Sequence, residues 1–401
     1  MTSLPQEAPQ LVAAGHRLSG LAPALRVVTR LRWLLCLVGA GQSAAPIWAA
    51  GIQPVDMMHF SRAGGWILQG RLGEIYSTSW MQAGPFELLA SWALYPFDRQ
   101  HTTSYVRTGL AGQYPLRLIG GALIVAAVMF LVRYLRRLHD LPDSAPMELA
   151  AGLTAVLIAV PYQFWMGGHL AQFGIPLMWV AGTSLAVRGR STAAGLVIGL
   201  SAGWEPWGVL LAGALLTERD PRRLVQACTA FTAGALLPYL PFLATGRFEM
   251  FHLLWAVRKP TLIGLLFPHM TTFSWELRLF QGIAAGLAGV VVALALGRRR
   301  DVIWIAPLTV VVVRLLLDPL ILSYYWGPFL FAVVIGVGLL HPHCSPTRAV
   351  LASALAGVAL VQFRYTFNRE VPLLIVSLVL LVALVVTVRR DEPAGSRPVD
   401  A

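Results

Sequence analysis

Long apolar runs recur along nearly the whole 401-residue chain, and each is close to the length that crosses a bilayer. A helix that crosses the hydrocarbon needs about 20 apolar residues. Candidate spans are Trp33–Gly51, Leu116–Arg133, Met147–Tyr162, Phe173–Val187, Leu224–Ala244, Phe280–Leu296, Val302–Leu317, Tyr324–Leu340, Ala349–Gln362 and Val371–Val388. Hydrophobic residues make up 57% of the chain and charged ones 12%, against about 25% charged in a soluble domain. With a mean hydropathy of +0.66, that balance excludes a water-soluble globule, a disordered chain and a secreted disulfide scaffold. Cys36, Cys228 and Cys344 are too few for a disulfide framework and read as unpaired small hydrophobes. The runs lack the ten-residue alternation of a membrane β-barrel. The expected fold is all-α: a polytopic transmembrane helical bundle of about 10–12 crossings, with surface helices in its first extracytoplasmic loop.

One run, Thr192–Leu216, is ambiguous: a single long span, or a hairpin of two short helices broken at Glu205-Pro206. Charge separates the two. The net charge is +12, and every basic residue except Lys259 is an arginine. Basic clusters lie at Arg17/Arg26/Arg30/Arg32, Arg133/Arg136/Arg137, Arg188/Arg190, Arg219/Arg222/Arg223, Arg298/Arg299/Arg300, Arg348 and Arg389/Arg390/Arg397. A hairpin keeps all of them on one face, which the positive-inside rule makes the cytoplasm. Proline removes a helix hydrogen bond, so a break at Pro206 is physically reasonable. Ten full spans plus the hairpin then put both termini in the cytoplasm of a multi-pass plasma-membrane protein. Residues 1–32 and 389–401 become cytoplasmic tails around one module, 33–388, and Trp33–Gly51 reads as a retained first span. The C-terminal tail is polar enough to be disordered. Basic groups serve anionic lipid here, and no basic run interleaved with aromatics suggests nucleic acid.

Residues 52–115, 246–277 and 363–370 are too long outside the membrane to be simple connectors. The first of these loops contains two amphipathic stretches, Met57–Gln69 and Pro85–Tyr95, expected on the membrane surface. Acids outside or at the outer edge are Asp56, Glu74, Glu87, Asp98, Glu205, Glu249, Glu276, Asp318 and Glu370. Asp56 begins a helical stretch with His59 at i+3 on the same face. It reads equally as a general base or as a first-turn acid that complements the helix dipole. Glu205, between Trp204 and Trp207, lies at the hairpin tip, where an acid is costly; it reads first as a site residue and second as a snorkelling interfacial acid. Arg314 and Asp318, four apart, read first as a structural ion pair and second as a phosphate contact for Arg314. Tyr324 and Tyr325 fit an aromatic belt. Arg258, Lys259, His269 and Arg278 make the second loop basic beside apolar residues, which suits either a lipid-linked phosphate or ordinary anionic headgroups. His101, His169 and His252 are scattered without zinc-site spacing. Walker, dinucleotide and nucleophile-elbow motifs are absent from the sequence.

Four stretches together resemble a known family. They are VDMMHFSRAGGWILQGRLGEIY from Val55 to Tyr76, QAGPFELLASWAL after it, GGHLAQFGIPLMWVAGTSLAVRGRSTAAGLVIGLSAGWEPWGVLL, and DPLILSYYWGPFL. Their order and spacing over roughly residues 50–340 are similar to the GT-C glycosyltransferases. Within these, the likeness is to the polyprenol-phosphate-mannose-dependent mannosyltransferases of actinobacteria (glycosyltransferase family 87). Glu205 stands where that family often has lysine, and Tyr324 and Tyr325 stand where it commonly has histidine. The resemblance implies transfer of mannose or a related sugar, with inversion, from a polyprenyl-phosphate donor to a lipid or glycan acceptor at the outer leaflet. Asp56 matches the family's catalytic base. The substrate-binding candidates are His59, Glu205, Arg258, Lys259, His269, Arg314, Tyr324 and Tyr325. No cofactor is implied beyond the donor, and a divalent metal is left open. The competing class is a lipid-sugar flippase or transporter built on the broken helix at Glu205-Pro206.

Overall fold

A computed structural model describes residues 23, 27–50, 55–94, 107–142, 145–245, 247–341, 344–364 and 369–391. The expectations for the two tails fall mostly outside these residues, as do Asp98, His101 and half of the 363–370 segment. The chain is an all-α membrane bundle. In order, its main helices are α1 (Leu35–Ala50), α2 (Val55–Leu68), α3 (Pro85–Leu94), α4 (Arg107–Leu138), α5 (Ala145–Leu157), α6 (Val160–Met166), α7 (Ala171–Val187) and α8 (Ser191–Leu200). A 3-10 arm, Pro206–Thr217, follows. Then come α9 (Pro221–Leu236), α10 (Trp275–Leu296), α11 (Ile305–Leu316), α12 (Gly327–Gly338), α13 (Pro346–Arg364) and α14 (Glu370–Arg390).

Of the ten full spans expected, four are, among the described residues, uninterrupted helices long and apolar enough to cross a bilayer: Pro115–Leu138, Trp275–Leu296, Pro346–Phe363 and Glu370–Arg390. The other apolar segments are shorter. The expected span Met147–Tyr162 is two helices, because Ala159 takes a left-handed conformation (φ 54°) and breaks the hydrogen-bond ladder before Pro161.

Thr192–Leu216 is a hairpin. α8 and the 3-10 arm pack together, and the Ser191 hydroxyl at the start donates to Glu218 Oε2 at the end. The carbonyl of Gly208, near the tip, accepts from Trp179 Nε1 (2.7 Å) and Ser201 Oγ (2.8 Å). Side chains thus satisfy a backbone group in a stretch without regular α-helical bonding. The arginine clusters gather at the hairpin's base. Arg188 donates to the Leu138 carbonyl, Arg136 to that of Gly338 (2.9 Å), and Arg299 to that of Val388 (2.9 Å).

The core runs through α7, α11 and α12, where Trp179, Val310, Phe329 and Ile335 are fully buried. Burying each such side chain contributes about 1.5–3 kcal/mol. Helices α2 and α3 pack on each other beside the hairpin tip, with Met57, Phe60, Glu87 and Leu88 buried. Their inner faces therefore meet protein, where the sequence suggests a membrane surface. A two-residue ribbon, β1 (Trp255–Ala256) with antiparallel β2 (Thr272–Phe273), closes residues 247–277. Gln82 and Trp275 both donate to the Met250 carbonyl (2.7 Å each), tying the two long loops together. Cys36, Cys228 and Cys344 are free thiols.

Candidate functional site

The hairpin tip brings together three acids that lie far apart in sequence. Glu205 is extended there (φ −156°, ψ 151°), immediately before Pro206. Asp56 enters from the first turn of α2, where it faces the positive end of the helix dipole. Glu87 enters from the first turn of α3, which the Gly84 amide anchors by donating to the Trp204 carbonyl (2.6 Å). All three face His169, in the turn between α6 and α7. Two adjacent glycines set that turn. Gly168 takes φ 66°, where a side chain would strain the backbone, and a Cβ on Gly167 would lie 2.3 Å from Cβ of Tyr324. Without that Cβ, Tyr324 stacks flat on the His169 ring at 4.1 Å and 9°. Phe60 meets the same ring edge-on at 5.0 Å.

His169 Nε2–H donates to Asp56 Oδ2 at 2.8 Å, since an ionised carboxylate can only accept. Nδ1 faces the other two acids, 3.5 Å from Glu205 Oε1 and 3.8 Å from Glu87 Oε1. Glu87 is fully buried, and its Oε1 accepts from the Ala171 amide at the start of α7 (3.3 Å). Burial pushes its carboxyl up to about 8; the attraction of His169 opposes this and the charge of Glu205 adds to it. Burial lowers the His169 imidazole, but its contacts with Asp56 and Glu205, and the charge of Glu87, carry it up to about 10. Glu205 Oε2 accepts from the Trp207 indole.

On the other side of Glu205 a cavity of about 480 Å³ opens between the 3-10 arm and α10. Its walls are apolar, with Leu210, Ile283, Leu287 and Val290. Its polar end carries Glu205, Arg278, Gln281, Arg314 and Tyr325. The expected Arg314–Asp318 pair does not form. Buried Asp318 instead accepts from Arg278 (2.7 Å) and from the Leu320 amide (2.9 Å), because α10 brings Arg278 against the end of α11. Arg314 lies over the rings of Trp207 (4.4 Å) and Tyr325 (5.3 Å), with no ion-pair partner among the described residues. It is a buried cation facing an apolar cavity, the environment in which a planar guanidinium binds phosphate best.

The structure thus assembles Asp56, Glu205 and Tyr324 around His169, and sets Arg314 and Tyr325 at the cavity. His59 is exposed on the far side of its turn, against Trp80 at 5.4 Å, because Met57 and Phe60 take the buried face of α2. Arg258, Lys259 and His269 are exposed and do not line the cavity. Sequence reasoning passed over His169 and Glu87. The signals available were a histidine directly after two glycines and an acid within the apolar helix PFELL. No protein-family model matches the chain, and no curated protein matches it.

Proposed function

We propose that this protein is a membrane glycosyltransferase that moves a sugar, mannose or a relative, from a polyprenyl-phosphate donor to a lipid or glycan acceptor at the outer leaflet. The observation that carries the reading is that Arg314 and Glu205 line one cavity, Glu205 faces His169, and His169 holds Asp56. An apolar cavity with one unpaired arginine at its polar end suits an isoprenoid tail joined to a phosphate. Asp56 does not line that cavity. It is joined to Glu205 through His169, and its side chain remains one-third exposed.

In this mechanism the acceptor hydroxyl approaches Asp56. His169 holds Asp56 Oδ2, leaving Oδ1 to take the hydroxyl proton. The acceptor oxygen forms its bond to the anomeric carbon as the bond from that carbon to the phosphate oxygen breaks, and the electron pair leaves with the phosphate. Charge growing on the phosphate is met by Arg314. A phosphate leaves without a proton, so the second carboxylic acid of glycoside hydrolysis is not required. The resemblance over residues 50–340 supports the same reading.

The test is incubation of purified protein in nanodiscs with a panel of polyprenyl-phosphate sugars and lipid acceptors, followed by mass analysis of the lipids. A new glycosylated lipid with loss of donor is expected. Movement of intact donor between leaflets without product would replace this reading with that of a flippase.

A further inference from the structure

We infer that Glu87, His169 and Glu205 form a site for a first-row divalent cation, on the side of the His169 ring that faces away from Asp56. One donor atom from each residue lies within 4.8 Å of the others. Around a tetrahedral ion with bonds of about 2.1 Å, ligand atoms stand about 3.4 Å apart. His169 Nδ1 is 3.5 Å from Glu205 Oε1 and 3.8 Å from Glu87 Oε1, close to that spacing.

Two independent observations point to a missing ligand. Glu87 is wholly buried, and its Oε2 has no hydrogen-bond partner among the described residues. His169 Nδ1, between the two glutamates, has none either. Meanwhile Nε2–H is engaged by Asp56 at 2.8 Å, which turns the Nδ1 lone pair toward the glutamates when the ring is neutral. Metal-binding histidines show the same arrangement, with the second ring nitrogen donating to a carboxylate. Charge agrees. Three carboxylates surround one ring, and among the described residues none of them has an arginine or lysine as ion-pair partner. One imidazole nitrogen and two carboxylate oxygens suit Mn2+ or Zn2+ better than the all-oxygen preference of Ca2+.

This inference rests on the geometry alone and stands whether or not the protein transfers sugars. The experiment uses the full chain, purified without a histidine tag, stripped with a chelator and titrated with Mn2+ while free Mn2+ is followed by electron paramagnetic resonance. Saturable binding of one Mn2+ per chain is expected, with nitrogen modulation from one imidazole in the pulsed spectrum and displacement by Zn2+. Glu87→Gln and His169→Gln are each expected to weaken binding at least tenfold. Asp56→Asn weakens it by about 10–100-fold through the orienting hydrogen bond. Absence of saturable binding to the wild-type chain overturns the site, as does bound Mn2+ without imidazole modulation. Binding that persists in both ligand variants and disappears in His252→Gln assigns the ion to the exposed His252–Glu249 pair instead and also overturns it. The wild-type spectrum decides even if a variant fails to fold.

Discussion

At the base of the hairpin, buried and half-buried carboxylates are matched to arginines. Glu148 accepts from Arg32 (3.0 Å) and from two nitrogens of Arg133 (2.7 Å each), Glu218 pairs with Arg298 (3.0 Å), and Asp301 pairs with Arg348. At the tip, Asp56, Glu87 and Glu205 converge on one histidine, while Arg314 stands apart over aromatic rings. Both ends bury charge, and burial costs several kcal/mol per ion unless a partner repays it. At the base the partner is built in, so those groups hold helices together. At the tip three acids share one imidazole and the arginine stands apart from them, so both the acid cluster and the arginine retain capacity for something from outside. The lesson is that matching of charge, more than its burial, separates scaffold from site.

Substitutions test this contrast. The largest effect is expected from Asp56→Asn, which lowers sugar transfer per folded molecule about 10²–10⁴-fold if Asp56 is the base. Next is Glu148→Gln at the base. Its carboxylate is fully buried between two arginines, and its loss is expected to cost about 3 kcal/mol in denaturant unfolding. Transfer per folded molecule should not change. If activity fell and stability did not, the division into scaffold and site would fail. Arg314→Gln comes third. A lost charged contact of about 1.5–3 kcal/mol lowers donor kcat/KM roughly 10–100-fold, with little effect on stability. Arg278→Gln in the same cavity should act the opposite way, because it strands buried Asp318.

The smallest effect is graded with pH and should run in opposite directions at the two ends. His169 is raised to about 10, so its contribution to stability is complete below the ordinary imidazole value of ~6.5 and disappears as pH rises through about 10. Glu87, raised to about 8, likewise contributes below the ordinary ~4.3 and loses its contribution as pH rises through about 8. Glu218 is held down to about 2, chiefly by the Ser191 hydroxyl and with help from Arg298 against burial. Its contribution is present above ~4.3 and is lost as pH falls through about 2. Hydrogen exchange against pH should therefore loosen α2, α3 and the 167–170 turn first in alkali, and the 188–220 base first in acid. Simultaneous loosening of both ends would contradict the assignment.

The sequence by itself determined the all-α membrane class, since apolar runs of this length have no other stable solution. It also determined the hairpin at Glu205-Pro206, since proline breaks the ladder and the arginine clusters need one face. Asp56 and Glu205 were legible as costly acids at an apolar edge. The tertiary structure alone decided which groups meet. His59 shares a helix with Asp56 but turns outward, and His169, 113 residues away, takes its place. Asp318 prefers Arg278 on a neighbouring helix to Arg314 on its own. Helical spacing reports neighbours along one helix, whereas a buried charge finds its partner wherever packing between helices delivers one. In a bundle this apolar, charged side chains are too few for local pairing to satisfy them.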